Sequence, residues 1–262
     1  MKITKILLTS LLLSAGFSLS AQTAEEIAKK VHDLPDGKTN YITASLTLID
    51  KNGKSRLREI ASYAFHDGPV KKNVTVFRSP KDVAGVSYLS FDYPDNADGS
   101  VKDSDSWLYL PAMKKVRRVS GSSKDDDFQG TDFTYDDMGE RSLGKDSFKL
   151  LGSETFDGVD CWILEYTAKD KNAKISRRVM WIEKSNYVTR KGEYFDRQGN
   201  KFKELLCENI EQSSGYWSVR KMTMTNIITN HKTVYEATEV KYDLPLDANL
   251  FTVSALEREM VK

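Results

Sequence analysis

The chain has 262 residues, of which 39% are hydrophobic, and a formal net charge of +1. That length suits one large all-β domain or two small ones, and the apolar fraction is enough for a real core. So small a net charge favours neither nucleic acid nor any other polyanion as a general partner.

Lys2 and Lys5 precede an apolar run from Ile6 to Leu13, and the small residues Ser18, Ser20 and Ala21 follow. This is the layout of a secretory signal peptide over residues 1–21. The run is shorter than the ~20 residues of a membrane-spanning helix, and no later segment comes near that length. No Cys follows it to take a lipid anchor, so the mature protein is expected to be periplasmic and soluble. Cleavage removes two lysines and no acid, taking the formal charge from +1 to −1.

Residues 22–262 carry no composition break and no repeat, and predict a single domain. Thr23 and Glu26 form a capping box, after which Ile27, Ala28, Val31 and Leu34 recur at helical spacing up to Pro35-Asp36-Gly37. From Tyr41 the period becomes two. Ile42, Ala44, Leu46 and Leu48 share a face, Lys51-Asn52-Gly53-Lys54 turns the chain, and Leu57, Ala61, Tyr63 and Phe65 continue on a second strand. Strand signals follow at 74–77, 86–91, 107–110, 115–119, 161–167, 177–182, 188–195, 202–210, 217–226 and 233–242, with Gly, Asn and Asp at most joints. No helix-length spacer allows parallel crossovers, so the fold is mainly β and antiparallel. A sheet of roughly ten or more strands curls or splits, which predicts a curved sheet or incomplete barrel. Between Ser120 and Phe148 the chain is rich in Ser, Asp and Gly and predicts a long loop or lid. Cys161 and Cys207 lie in separate strand-like segments, where a disulfide and two buried thiols are both open readings.

In "WLYLPAMKKVRRV", Trp107 and Tyr109 share one strand face and Leu108 and Leu110 the other, so both faces should be covered. The simplest cover is the N-terminal helix over a central strand; the functional alternative has the aromatic face lining a hydrophobic cavity. Arg117 and Arg118 are adjacent, so on a regular strand one of them faces inward, where a carboxylate of the acidic run Asp125 to Asp137 would pair with it and latch the loop. That run is oxygen-rich but lacks EF-hand spacing, and a solvated acidic loop is the simpler reading. His32, His66 and His231 show no metal-ligand spacing, and no nucleophile elbow or phosphate loop is present. These patterns predict no catalytic residue, no metal and no cofactor. A chance pair of carboxylates acting as a hydrolase is the enzymatic competitor.

The block "DSWLYLPAMKKVRRVSGSSKDDDFQGTDFTYDDM", ending at Met138, resembles the signature of the outer-membrane lipoprotein-sorting protein family of LolA-like fold. "DVAGVSYLSF" upstream, and "MWIEKSNYVTRKGEYFDRQGNKFKE" and "LPLDANLFTVSALE" downstream, extend the likeness over nearly all of the mature chain. The resemblance implies a strongly curved antiparallel sheet, an unclosed half-barrel, with helices and a loop as lid over a cavity that holds acyl chains. Placed on that frame, Trp107, Tyr109 and Phe133 become the cavity-lining candidates. Arg117 and Arg118 become latch or headgroup contacts, with Asp132 and Asp137 as latch partners. The implied function is a non-catalytic periplasmic carrier of lipid or lipidated protein, with an inner-membrane exporter or outer-membrane acceptor as partner and no nucleic acid. The alternative is an adaptor module of a resistance-nodulation-division type exporter that carries no cargo itself.

Overall fold

A computed structural model describes residues 22–98 and 100–261 of the chain. The segment read as a signal peptide, 1–21, lies outside the described residues. Thirteen strands form one antiparallel sheet: β1 (Thr39–Ile49), β2 (Ser55–Asp67), β3 (Val70–Ser79), β4 (Ser87–Asp92), β5 (Asp105–Leu110), β6 (Lys115–Val119), β7 (Asp146–Phe156), β8 (Val159–Ala168), β9 (Arg177–Glu183), β10 (Thr189–Phe195), β11 (Lys201–Ser213), β12 (Tyr216–Asn226) and β13 (His231–Tyr242). Their spatial order is β6-β5-β4-β3-β2-β1-β13-β12-β11-β10-β9-β8-β7. The sheet is thus two meanders sewn together at the β1–β13 ladder, where Asn40 pairs with Tyr242 and Ile49 with Lys232. It is not closed, because β6 and β7 are its two edges.

That order has one unavoidable result. β6 and β7 are consecutive in sequence yet lie at opposite edges, so residues 120–145 must cross from one edge to the other. They do so over the inner face as a series of short 3-10 turns, and their aromatic residues bury against the sheet. Phe128 and Tyr135 join Leu46, Ile60, Phe77, Tyr88 and Leu108 in one inner cluster. The expected lid is therefore a plug, tied at both ends to the strands it covers.

Two helices complete the cover. α1 (Ala24–His32) starts at the expected capping box, with the Glu26 N–H donating to Thr23 Oγ1 at 3.2 Å. Its buried Ile27 and Ala28 pack on Leu164 of β8 and Ile182 of β9. α2 (Val253–Glu257) closes the C-terminus on the outer face, where Phe251, Leu256 and Val261 pack on Ala61, Val74, Leu89 and Tyr109. Both faces of β5 are covered, as its apolar run Trp107 to Leu110 requires, but by the plug and the C-terminal segment. The N-terminal helix sits on the far half of the sheet. β7 and α2 had no clear sequence signal: most β7 side chains are exposed or half-exposed, so no apolar alternation marks that strand.

Cys161 and Cys207 are both free and buried. They belong to different clusters, Cys161 with Val179 and Trp181, and Cys207 with Phe133 and Tyr194. Burial pushes the Cys207 thiol up to about 12, so it stays protonated and packs as a small apolar group. No helix is long and apolar enough to cross a membrane among the described residues.

Candidate functional site: the plugged inner face

The tip of the plug is a tight loop. Gln129 and Gly130 take consecutive left-handed conformations (φ 51° and 77°), which returns the chain so that the Phe128 N–H donates to the Phe133 carbonyl at 2.7 Å. Thr131 Oγ1 donates to the Phe128 carbonyl at 2.8 Å. The loop presents Phe128 to one half of the sheet, 5.6 Å from the Phe77 ring, and Phe133 to the other half beside Leu205 and Met224.

A latch holds this tip, but with other partners than the sequence suggested. Asp132 is buried, and its carboxylate accepts from His231 Nδ1 at 2.7 Å and Thr233 Oγ1 at 2.8 Å, both on β13. The buried Lys203 of β11 donates to the Asp132 carbonyl at 2.6 Å and lies 3.1 Å from the Asp127 carboxylate. Arg58 of β2 donates to the Gln129 carbonyl. Arg117 and Arg118 take no part. β6 is an edge strand, so both arginines are exposed; Arg118 pairs with Asp105 on the neighbouring strand. Asp137 instead caps its own turn, accepting from the Thr134 N–H at 2.7 Å and hydroxyl at 2.8 Å.

Space remains beneath the plug. One cavity of about 410 Å³ is lined by Ile42, Phe133, Leu205, Met222, Met224 and Tyr235. A second, also about 410 Å³, lies between α1 and the plug, where Val31, Phe148, Tyr166 and Met180 meet Arg141 and Arg178. A more polar hollow of about 470 Å³ adjoins them. Asp36 and Lys71 line all three, so the spaces are neighbours. Of the aromatic candidates, Phe133 lines the first cavity. Trp107 and Tyr109 point the other way: Trp107 packs edge-on against Phe91 with ring centres 5.1 Å apart, and the Tyr109 hydroxyl donates to Glu259 at 2.9 Å. Strand parity paired them correctly, and only the C-terminal segment decides that their face is the outer one.

Charges gather where the three spaces meet. Lys71 lies 2.7 Å from Asp36 and 3.2 Å from Glu140, and His32 Nε2 lies 2.8 Å from Glu140. The hydrogen bond to Glu140 carries the His32 imidazole up to about 9, against the opposing effect of burial. Burial likewise opposes ionisation of Glu140 and Asp36, yet their cationic partners hold both below the usual carboxylate range. Further in, Arg141 forks onto Asp146 at 2.7 and 2.9 Å and reaches Asp136 at 2.9 Å. Asp92 differs, since burial raises its carboxyl to about 6. Among the described residues no cluster of three or more His, Cys, Asp or Glu could hold a metal ion.

A solved domain from Vibrio parahaemolyticus, assigned as an outer membrane lipoprotein-sorting protein, superposes with a TM-score of 0.83 at 30% identity, covering 90% of this chain and 98% of that one. The chain belongs to the outer-membrane lipoprotein-sorting protein family of LolA-like fold. The family model that matches, over residues 70–258, is described as that of an uncharacterized protein. A DUF1329 family protein from Desulfovibrio piger ATCC 29098 is equally similar, with a TM-score of 0.83 at 30% identity over 89% of this chain and 97% of its own. A LolA superfamily protein from Nitrosomonas europaea shares the fold at a TM-score of 0.69 and 18% identity, covering 90% of this chain and 100% of its own. Among curated proteins no relative matches. For a lipoprotein-sorting family member, the residues missed from sequence are Lys71, Arg141, Arg178 and Lys203. The signal for Arg178 was the same one applied to Arg117 and Arg118, namely two adjacent strand arginines of which one must face inward.

Proposed function

We propose that the protein is a non-catalytic periplasmic carrier that shelters acyl chains of a lipid or lipidated protein beneath the plug. The observation that carries this reading is the inner cavity of about 410 Å³ lined largely by aliphatic, aromatic and thioether side chains, beside a second of about 410 Å³ in which Val31, Phe148, Tyr166 and Met180 face charged groups. That size falls in the ~300–1,000 Å³ range of small-ligand sites. Exposed hydrocarbon costs about 0.8 kcal/mol per CH₂, so an acyl chain crossing water needs such a shelter. Met138, Met180, Met222 and Met224 around these spaces suit a chain of variable shape, because thioethers repack at little cost. Asp36, Asp136 and Glu140 are each paired with a cation and held ionised, which ties up three of the carboxylates that a hydrolytic pair would draw on. Family membership and the signal-like sequence of residues 1–21 support the periplasmic setting.

The plug itself gives the adaptor reading its foothold, since Phe128, Phe133 and Tyr135 already fill part of the inner face. Mass spectrometry of an organic extract separates the two. A stoichiometric acyl species is expected in protein purified natively from the periplasm and absent after denaturation and refolding. An empty native protein that also refuses a fluorescent acyl probe would favour an adaptor that docks on an exporter.

A further inference from the structure

Arg178 lies on β9 facing inward, with its side chain 10% exposed. Among the described residues its Nη1 is the buried side-chain nitrogen without a hydrogen-bond partner. The Asp146 Oδ1 oxygen is 3.9 Å away and already accepts from Arg141 Nη2 at 2.9 Å, while Arg141 Nε takes the other oxygen of the same carboxylate. Buried donors are rarely left unmade, and the residue that carries this one, Arg178, lines the cavity between α1 and the plug. That cavity shares Tyr194, Asp137 and Gly139 with the methionine-lined cavity, and the Arg178 guanidinium sits 6.0 Å from the Tyr194 ring.

We propose that Arg178 Nη1 is the fixing point for the ester carbonyl of an acyl ligand, whose hydrocarbon then runs past Tyr194 toward Leu205, Met222 and Met224. This rests on the carrier reading and adds the polar chemistry of its cargo. The charge balance selects an ester over a free acid. His32, Lys71, Arg141 and Arg178 line the cavity with Asp36, Asp136, Asp137, Glu140 and Asp146, four cations facing five carboxylates. A carboxylate headgroup would add a further negative charge to a lining already one carboxylate in excess, whereas a neutral carbonyl oxygen satisfies the donor and leaves the balance unchanged.

The test is competition for a fluorescent acyl-ester probe by methyl myristate, myristate and tetradecane, on the full mature chain and on Arg178→Met and Arg178→Lys. On the wild type, methyl myristate should compete best. Arg178→Met should weaken it roughly tenfold, the worth of a hydrogen bond from a charged donor, and leave tetradecane unchanged. Arg178→Lys should fall between the two, and serves in its place if the Met variant does not fold. An ester affinity indifferent to Arg178, or myristate competing better than its ester, overturns the proposal while the carrier reading stands. A wild type that takes up neither the ester probe nor tetradecane overturns the carrier reading. Repeating the competition with phosphatidylethanolamine and with a diacylated lipopeptide separates a membrane lipid from a lipidated protein as the source of the ester.

Discussion

Asp92 sits on the inner face of β4 and accepts hydrogen bonds from Asn73 at 3.0 Å and Ser90 at 3.4 Å. Because burial raises its carboxyl from 3.8 to about 6, the fold prefers the protonated form, and its contribution to stability fades as pH rises through about 6. His32 works in the same direction at higher pH: its contribution is complete below the ordinary imidazole value of 6.5 and fades as pH rises through about 9. Asp36 and Glu140, held low, lose theirs only as pH falls through the acid range. Urea denaturation should therefore show the protein most stable near about pH 5 and weaker toward about pH 9. Asp92→Asn should gain up to about 3 kcal/mol at neutral pH and flatten the profile between about pH 4 and 6. A variant whose profile matches the wild type would contradict this assignment. Lys203 gives a second residue-scale expectation. Lys203→Met strands the Asp132 carbonyl, costing about 1–3 kcal/mol, and amide exchange should quicken across 126–137 before it does elsewhere.

At the scale of elements, the C-terminal segment does for the outer face what the plug does for the inner one. Phe251 is fully buried and lies against Phe65 with ring centres 5.6 Å apart. Phe251→Ala should cost about 3–5 kcal/mol, read as a lower urea midpoint. It should also expose Trp107 and Tyr109, read as a red-shifted tryptophan emission. Unchanged emission would mean that α2 is held without Phe251. The same segment is why Trp107 and Tyr109 face α2 and not a cavity. An alternating strand tells which side chains share a face and is silent on what covers it, and α2, with five residues, is too short to announce itself by periodicity.

On the scale of the whole molecule, the open sheet leaves two unpaired strand edges, and exposed edges invite pairing with another chain. β6 carries Lys115, Arg117 and Arg118, all exposed, which repel a second copy aligned on the same edge. Arg118 alone is worth little, since its pair with Asp105 is largely in solvent. Replacing Arg117 and Arg118 together by Val should leave stability within about 1 kcal/mol yet produce concentration-dependent oligomers by sedimentation velocity. A strictly monomeric double variant would show that the edge is protected by something other than charge.

The capping box of α1, the β1–β2 hairpin, the antiparallel character of the sheet and the irregular run from Ser120 to Phe148 are all legible in the amino-acid order. Each rests on local periodicity or turn chemistry that acts within a few residues. Family motifs added the unclosed LolA-like architecture. That β6 and β7 stand at opposite edges, and hence that the acidic loop must cross the inner face, follows from the strand order of the folded sheet. That crossing carries Asp132 to His231, Thr233 and Lys203 rather than to the adjacent Arg117 and Arg118. It also isolates Arg178 against a carboxylate already taken by Arg141. Partners of this kind lie 32 to 101 residues apart in the chain, and no periodicity reaches so far; the long-range register of the sheet alone brings them together.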